Sequence, residues 1–315
     1  MSSDRKEQDV KGINRRDLLK AGAAGAAGIA ATGLGMNTAQ AKSIVPDQEK
    51  LWTNSNTGRR VVILNDTALQ IGAPLAIELA KAGHDLVIAQ PEKGLVKKLE
   101  ALGSKVVVVE GVEQHGPNSE TNPKHGQMFV DAAMKHFGGF DSAYFRTAEH
   151  GGADILNVTK EQLQLSFEGN FVAVVNALQA VLPPLMKAGR GQVVFLTSAS
   201  AVRGPYDFIP YVSLRAAANN LIKCAAMTAA EKGVCVNAFG TNFLNYPDAV
   251  ESYGGKDKMA HVESKLPIGR MGEPEEAAHM AVALLDGKNM FTTGQSIMID
   301  GGYSARMDDI KFTKW

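Results

Sequence analysis

Seven short runs rich in Val, Ile and Leu, the first six each followed by a turn and a helical stretch, constrain this chain more than any other feature. They are Arg60–Leu64, Asp85–Ala89, Lys105–Val109, Asp141–Phe145, Gly191–Thr197, Val234–Phe239 and Gln295–Ile299. Each has the length and the β-branched content of a buried strand. Between them the apolar spacing predicts helices over Ile71–Ala82, Glu92–Leu102, a stretch ending near Phe137, Thr159–Lys187, Pro210–Glu231 and Glu273–Leu285. Pro183-Pro184 predicts a break in the long fourth helix. Strands alternating with helices at this spacing give an α/β fold, a doubly wound parallel sheet with helices on both faces. Residues 59–303 are read as that single domain, with Gly240 to Leu266 as a long excursion and 304–315 as a tail.

Residues 1–41 are read as lying outside the fold. Asn14-Arg15-Arg16-Asp17-Leu18-Leu19-Lys20 has the form of a twin-arginine export signal. A weakly apolar Ala/Gly run and the cleavage pattern Ala39-Gln40-Ala41 follow it. The run is too short and Gly-rich for a stable membrane span. These features predict export by the twin-arginine machinery and a periplasmic mature protein. A flexible basic tail is the alternative. Residues 42–58 read as a polar linker.

The 315 residues suffice for one large domain, and the formal net charge of zero leaves no basic footprint for nucleic acid. Cys224 and Cys235 fall in a predicted helix and strand and read as core residues. The seven His show no metal-ligand spacing, and no metal is expected. His115 and His125 flank a polar loop and read as solvated.

Chemistry concentrates where the fifth strand ends. Ser198 closes that strand, and Tyr211 and Arg215 are i and i+4 on the helix after it, one turn apart on one face. A cation held beside a phenol favours its charged form, which makes Tyr211 a candidate general base. A capping Tyr and a surface Arg are the plainer reading of the same pair.

Ser198, Tyr211 thirteen residues on and Arg215 four further resemble the active-site pattern of the short-chain dehydrogenase/reductase family, over about Arg60 to Gly302. The resemblance implies a Rossmann-like fold. Ordinary members carry Lys where Arg215 stands; the Ser–Tyr–Arg form resembles the halohydrin dehalogenases, which use no nicotinamide.

The family's dinucleotide turn, Thr-Gly-x-x-x-Gly-x-Gly, reads here as Asn65-Asp66-Thr67-Ala68-Leu69-Gln70-Ile71-Gly72. Glycines there let the backbone approach the pyrophosphate. Only Gly72 survives. A carboxylate ~4 Å from a phosphate charge costs on the order of 4 kcal/mol at an effective dielectric of 20. Asp66 turning away to cap the next helix is the alternative, and it leaves the bulk of Gln70 in place. Further departures follow: Gln90 replaces the acidic residue after the second strand, Gly111 the adenine-contacting Asp, and Phe145-Arg146-Thr147-Ala148 the Asn-Asn-Ala-Gly after the fourth.

After the sixth strand, Thr241-Asn242-Phe243-Leu244 resembles the dehalogenases' halide loop, with Thr241 in place of Pro. By the same resemblance Gln70 falls in the substrate pocket. A turn leaving the strand is the alternative. Asn170 matches an Asn that ordinary members use in a proton relay, and can equally be a satisfied buried amide. Gly301-Gly302 fits the family as well. The tail ending in Trp315 is expected to pack on a neighbouring subunit of a homotetramer or homodimer.

The resemblance predicts a cofactor-independent lyase. Ser198 would bind a substrate hydroxyl, Tyr211 would take its proton, and the alkoxide would displace a vicinal halide to give an epoxide. One alternative is an NAD(P)-dependent oxidoreductase acting on an alcohol or carbonyl; the other is a non-catalytic binding protein of the same fold.

Overall fold

The computed structural model describes residues 52–112, 121–146, 151–205, 207–247 and 249–305. Seven strands form one sheet: β1 (Val61–Leu64), β2 (Asp85–Ile88), β3 (Val106–Val108), β4 (Ser142–Arg146), β5 (Gly191–Ser198), β6 (Val234–Thr241) and β7 (Ser296–Ile299). Their order is β3-β2-β1-β4-β5-β6-β7 and every pair is parallel. All residues of β1, β2, β4, β5 and β6 are buried, as a sheet covered on both faces requires.

The helices are α1 (Gly72–Lys81), α2 (Leu95–Ala101), α3 (His125–Phe137), α4 (Lys160–Phe167), α5 (Ala173–Ala188), α6 (Ile209–Ala230), α7 (Ala249–Ser252), α8 (Lys256–Lys265) and α9 (Pro274–Leu285). One face of the sheet packs on α3, α5 and α6 through residues such as Phe129, Val181 and Ile222. The other packs on α1, α2 and α9 through Leu75, Leu99 and Leu285. The chain runs outward from β1 to β3 and then returns to β4 on the other side. That reversal opens a crevice above the carboxyl ends of β1 and β4, where ligands of such sheets bind.

Several expectations are corrected. The long fourth helix does not break at Pro183 and Pro184, which lie inside α5. It widens instead into a π-turn at Glu168–Val172. There the Asn170 side chain donates to the Ser166 carbonyl (3.0 Å), giving the backbone acceptor a partner other than the helical N–H. Lys160–Ala188 is long and apolar enough to cross a membrane, but Val174, Leu178, Val181 and Leu185 pack it against the core. Cys224 is exposed; only Cys235 is buried. His125 is buried and meets Phe129 edge-on at 5.4 Å. His115 lies outside the described residues.

The described end of the linker is not a linker. The guanidinium groups of Arg60 (4.0 Å) and Arg190 (5.1 Å) both lie over the Trp52 ring, and its indole donates to the Gly287 carbonyl. The backbone N–H of Asn54 donates to the Asp141 carboxylate. Arg190, Gly287 and Asp141 are remote in sequence, so local composition could not reveal these contacts. The export signal and Trp315 lie outside the described residues.

Candidate active site

Pairing of β5 with β6 brings the two halves of the site together, since Ser198 stands opposite Thr241 in the register. The approach depends on Gly240: a Cβ there would lie 2.6 Å from the Ser198 carbonyl carbon and 2.7 Å from the Ala199 nitrogen. Ser198 Oγ donates to Asn242 Oδ1 (3.0 Å) and accepts from the Ser200 N–H (3.1 Å). Asn242 Nδ2 donates to Ser200 Oγ (2.8 Å). Asn242, expected beside a leaving halide, therefore positions Ser198. Ser200 belongs to the same network and was missed, because nothing local sets it apart from a loop serine. One lone pair of Ser198 Oγ stays open to a substrate. To donate to a substrate oxygen, the hydroxyl must turn its hydrogen away from Asn242.

Tyr211 enters the same space from the first turns of α6. The Arg215 guanidinium lies over the Tyr211 ring, 4.8 Å from its centroid, while Nη1 donates to the Leu196 carbonyl (3.1 Å). Arg215 is fully buried. The contact observed is thus with the face of the ring, worth about 2 kcal/mol when desolvated, and it fixes the ring's plane. Another buried phenol, Tyr144, is a poor base: burial first, and the Asp66 charge second, push it well above the ordinary range.

Gln70, Ser198, Tyr211, Thr241, Asn242, Phe243 and Leu244 all line one cavity of about 610 Å3. These expected residues share one space; Arg215 and Asn170 are not among those that line it. Asn170 is buried on the π-turn, its Oδ1 without a hydrogen-bond partner among the described residues. Phe243 adopts φ 58°, a left-handed backbone that side chains rarely tolerate. Such a residue stores roughly 1–3 kcal/mol and persists only when its surroundings impose it. Here Gly272 N donates to the Phe243 carbonyl (3.0 Å) and Asn245 N to the Gly272 carbonyl (2.7 Å). Among the described residues no group of His, Cys, Asp or Glu is placed to hold a metal ion.

The crevice between β1 and β4 is occupied by the chain's own groups. Asp66 Oδ2 lies 3.5 Å from Arg146 Nε, both side chains nearly inaccessible. Asp66 Oδ1 accepts from the N–H groups of Ala68 (2.9 Å) and Leu69 (3.1 Å). Asn65 clamps the Arg146 backbone, accepting from its N–H (2.8 Å) and donating to its carbonyl (3.4 Å). Gln90 donates to the Val112 carbonyl across the ends of β2 and β3. The expected repulsion by Asp66 is corrected: its charge is matched by Arg146, so two of the departures from the family pattern form one pair. Gln70 keeps a left-handed φ of 47°, and a Cβ on Gly72 would meet the Asp66 carbonyl oxygen at 2.6 Å. The turn thus keeps a glycine-like course.

In this arrangement the described residues do not fit a dinucleotide. The Ala68 and Leu69 N–H donors that a pyrophosphate would use are taken by Asp66, and the cation on the Tyr211 helix is turned onto a ring and a carbonyl. Gly111 stands at a turn with φ 74°. Thr147 and Ala148 lie outside the described residues.

Comparison with known proteins follows the fold and the Ser–Tyr geometry. Residues 68–304 match the family described as enoyl-(acyl carrier protein) reductase. Cyclohexanol dehydrogenase of Acinetobacter sp. (strain SE19) is 26% identical over 269 residues, covering 82% of this chain and all of that protein. Levodione reductase superposes with a TM-score of 0.71 at 20% identity, covering 79% of this chain and 98% of the other. A solved structure described as a dehalogenation enzyme superposes with a TM-score of 0.65 at 24% identity, over 78% and 98%. At these identities the structural likenesses are likenesses of fold. The chain belongs to the short-chain dehydrogenase/reductase family of enzymes.

Proposed function

We propose that this enzyme moves a proton at the oxygen of a small alcohol or carbonyl substrate, with Tyr211 as the proton-transferring group and Ser198 as its hydrogen-bonding partner. The observation that carries this is the shared cavity into which Ser198, Tyr211 and Asn242 all project. Arg215 is a positioning residue, holding the Tyr211 ring from a buried site. Asn242 is another, setting the hydroxyl of Ser198. Export by the twin-arginine route and a homotetrameric or homodimeric state belong to the same proposal, carried by the sequence alone.

Two completions of the reaction follow. The names of the relatives support the first, oxidation of an alcohol or reduction of a carbonyl with NAD(P), better than the second. Before a nucleotide could dock for that reaction, Asp66 would have to release the Ala68 and Leu69 N–H groups. The second is the cofactor-independent lyase: the substrate alkoxide forms a C–O bond as the vicinal C–halide bond breaks, and halide leaves past Thr241 to Leu244. The filled first turn favours it, since it needs no ligand there. The test is to incubate the enzyme with secondary alcohols and vicinal haloalcohols, with and without NAD(P), following NAD(P)H, halide and proton. NAD(P)H formation supports oxidoreduction, and halide release without nucleotide supports the lyase. No turnover of any substrate in either arm refutes the proposal.

A further inference from the structure

We propose that the cavity is built for an uncharged substrate with a flat or cyclic apolar body, larger than a simple three-carbon alcohol. The inference deepens the reading above, which supplies only the reacting end at Ser198 and Tyr211. Aromatic rings form the walls. Phe208 meets Tyr211 edge-on at 6.2 Å on one side; on the other Phe243 meets Tyr303 edge-on at 4.8 Å and lies tilted to Tyr253 at 6.1 Å. All five line the same space. About 610 Å3 lies within the range of pockets that bury a whole drug-sized ligand. Rings set at these angles offer edges and faces to a flat guest.

Charge points the same way. No Lys or Arg is among the described residues that line the cavity, and Asp207 is their one carboxylate. Arg203 lies close by, with its guanidinium 4.7 Å from the centre of the Tyr303 ring and engaged there. A phosphorylated or carboxylated substrate would enter against Asp207, with no lining cation to receive it. The strained backbone of Phe243 is the second, independent observation. The bonds through Gly272 hold that ring in the wall although the residue resists the conformation.

The experiment measures binding apart from turnover. Tyrosine fluorescence of the full chain is titrated with 1-phenylethanol and with mandelate, which differ by a methyl against a carboxylate. The expected result is that 1-phenylethanol binds at least about tenfold tighter than mandelate. Phe243→Ala and Tyr253→Ala are each expected to weaken 1-phenylethanol binding about tenfold with circular dichroism unchanged. Tyr211→Phe should bind it within a few-fold of the parent. Mandelate binding as tightly as 1-phenylethanol, or both folded wall variants binding like the parent, overturns the inference. Should one variant fail to fold, the other and the two-ligand comparison decide. Binding as expected with no turnover of any alcohol overturns the proposed reaction and leaves this inference standing.

Discussion

Asp66 and Arg146 close on each other across the sheet's reversal point, 3.5 Å apart and sealed from solvent, one following β1 and the other ending β4. Burying both charges is costly; two backbone N–H groups offset part of the cost for Asp66, and Asn65 fixes the position of Arg146 through its backbone. Asp66→Asn keeps the short side chain and its turn but strips the charge from Arg146. It is expected to cost about 3 kcal/mol in urea unfolding. It should also tighten NADH binding roughly tenfold, read by NADH fluorescence, since a neutral amide holds the Ala68 and Leu69 N–H groups more weakly than a carboxylate and leaves the Arg146 cation to face the pyrophosphate. Unchanged affinity would show that the pair does not govern this crevice.

Tyr211→Phe removes the proton-transferring hydroxyl and leaves the ring under Arg215. Turnover is expected to fall by about 10²–10⁴, with substrate binding nearly intact. Arg215→Lys keeps a charge but loses the planar stack and the fork that reaches Leu196. Its kcat should fall further than its KM rises, because the ring loses its fixed plane. A Lys variant with parental kcat would contradict the positioning role.

Gly240→Ala would place a methyl 2.6 Å from the Ser198 carbonyl carbon, where backbone must move. The expected destabilisation is about 1–3 kcal/mol. Activity should fall beyond that loss, because β5 and β6 deliver Ser198 and Asn242 to each other. Urea unfolding and kinetics on the same preparation separate the two effects.

Two histidines set an acid limit. Burial lowers His125 from the usual 6.5 to about 4. Burial first, then the charges of Arg60, Lys288 and Arg59, lowers His84 to about 3. Both are neutral in the fold while the unfolded chain takes up their protons below about pH 6.5. Their contribution is therefore complete above pH 6.5 and shrinks as pH falls toward 4 and below. Urea midpoints for His125→Gln should decline less steeply between pH 6.5 and 4 than those of the parent; parallel curves would count against this origin.

Replacing Arg15 and Arg16 by Lys together is expected to hold the protein in the cytoplasm. Fractionation and blotting against a co-expressed periplasmic marker check it. Undiminished export would remove that reading.

What the sequence settled by itself was the order of strands and helices and the convergence of Ser198, Tyr211 and the Thr241–Leu244 loop. Both are local matters. Buried parallel strands must read as apolar runs, and a residue at a strand's carboxyl end must face the crevice. The structure alone decided what those residues touch. Asp66 found its counterion on another strand, Asn242 turned out to orient Ser198, Arg215 lay on a ring face, and Trp52 met both Arg60 and Arg190. Except for Arg215, one turn from its ring, and Arg60, close to Trp52 in sequence, these are pairings across long stretches of chain. A carboxylate looks repulsive in sequence and neutralised in space because its energy depends on what the fold brings within a few ångströms, and periodicity carries no record of that.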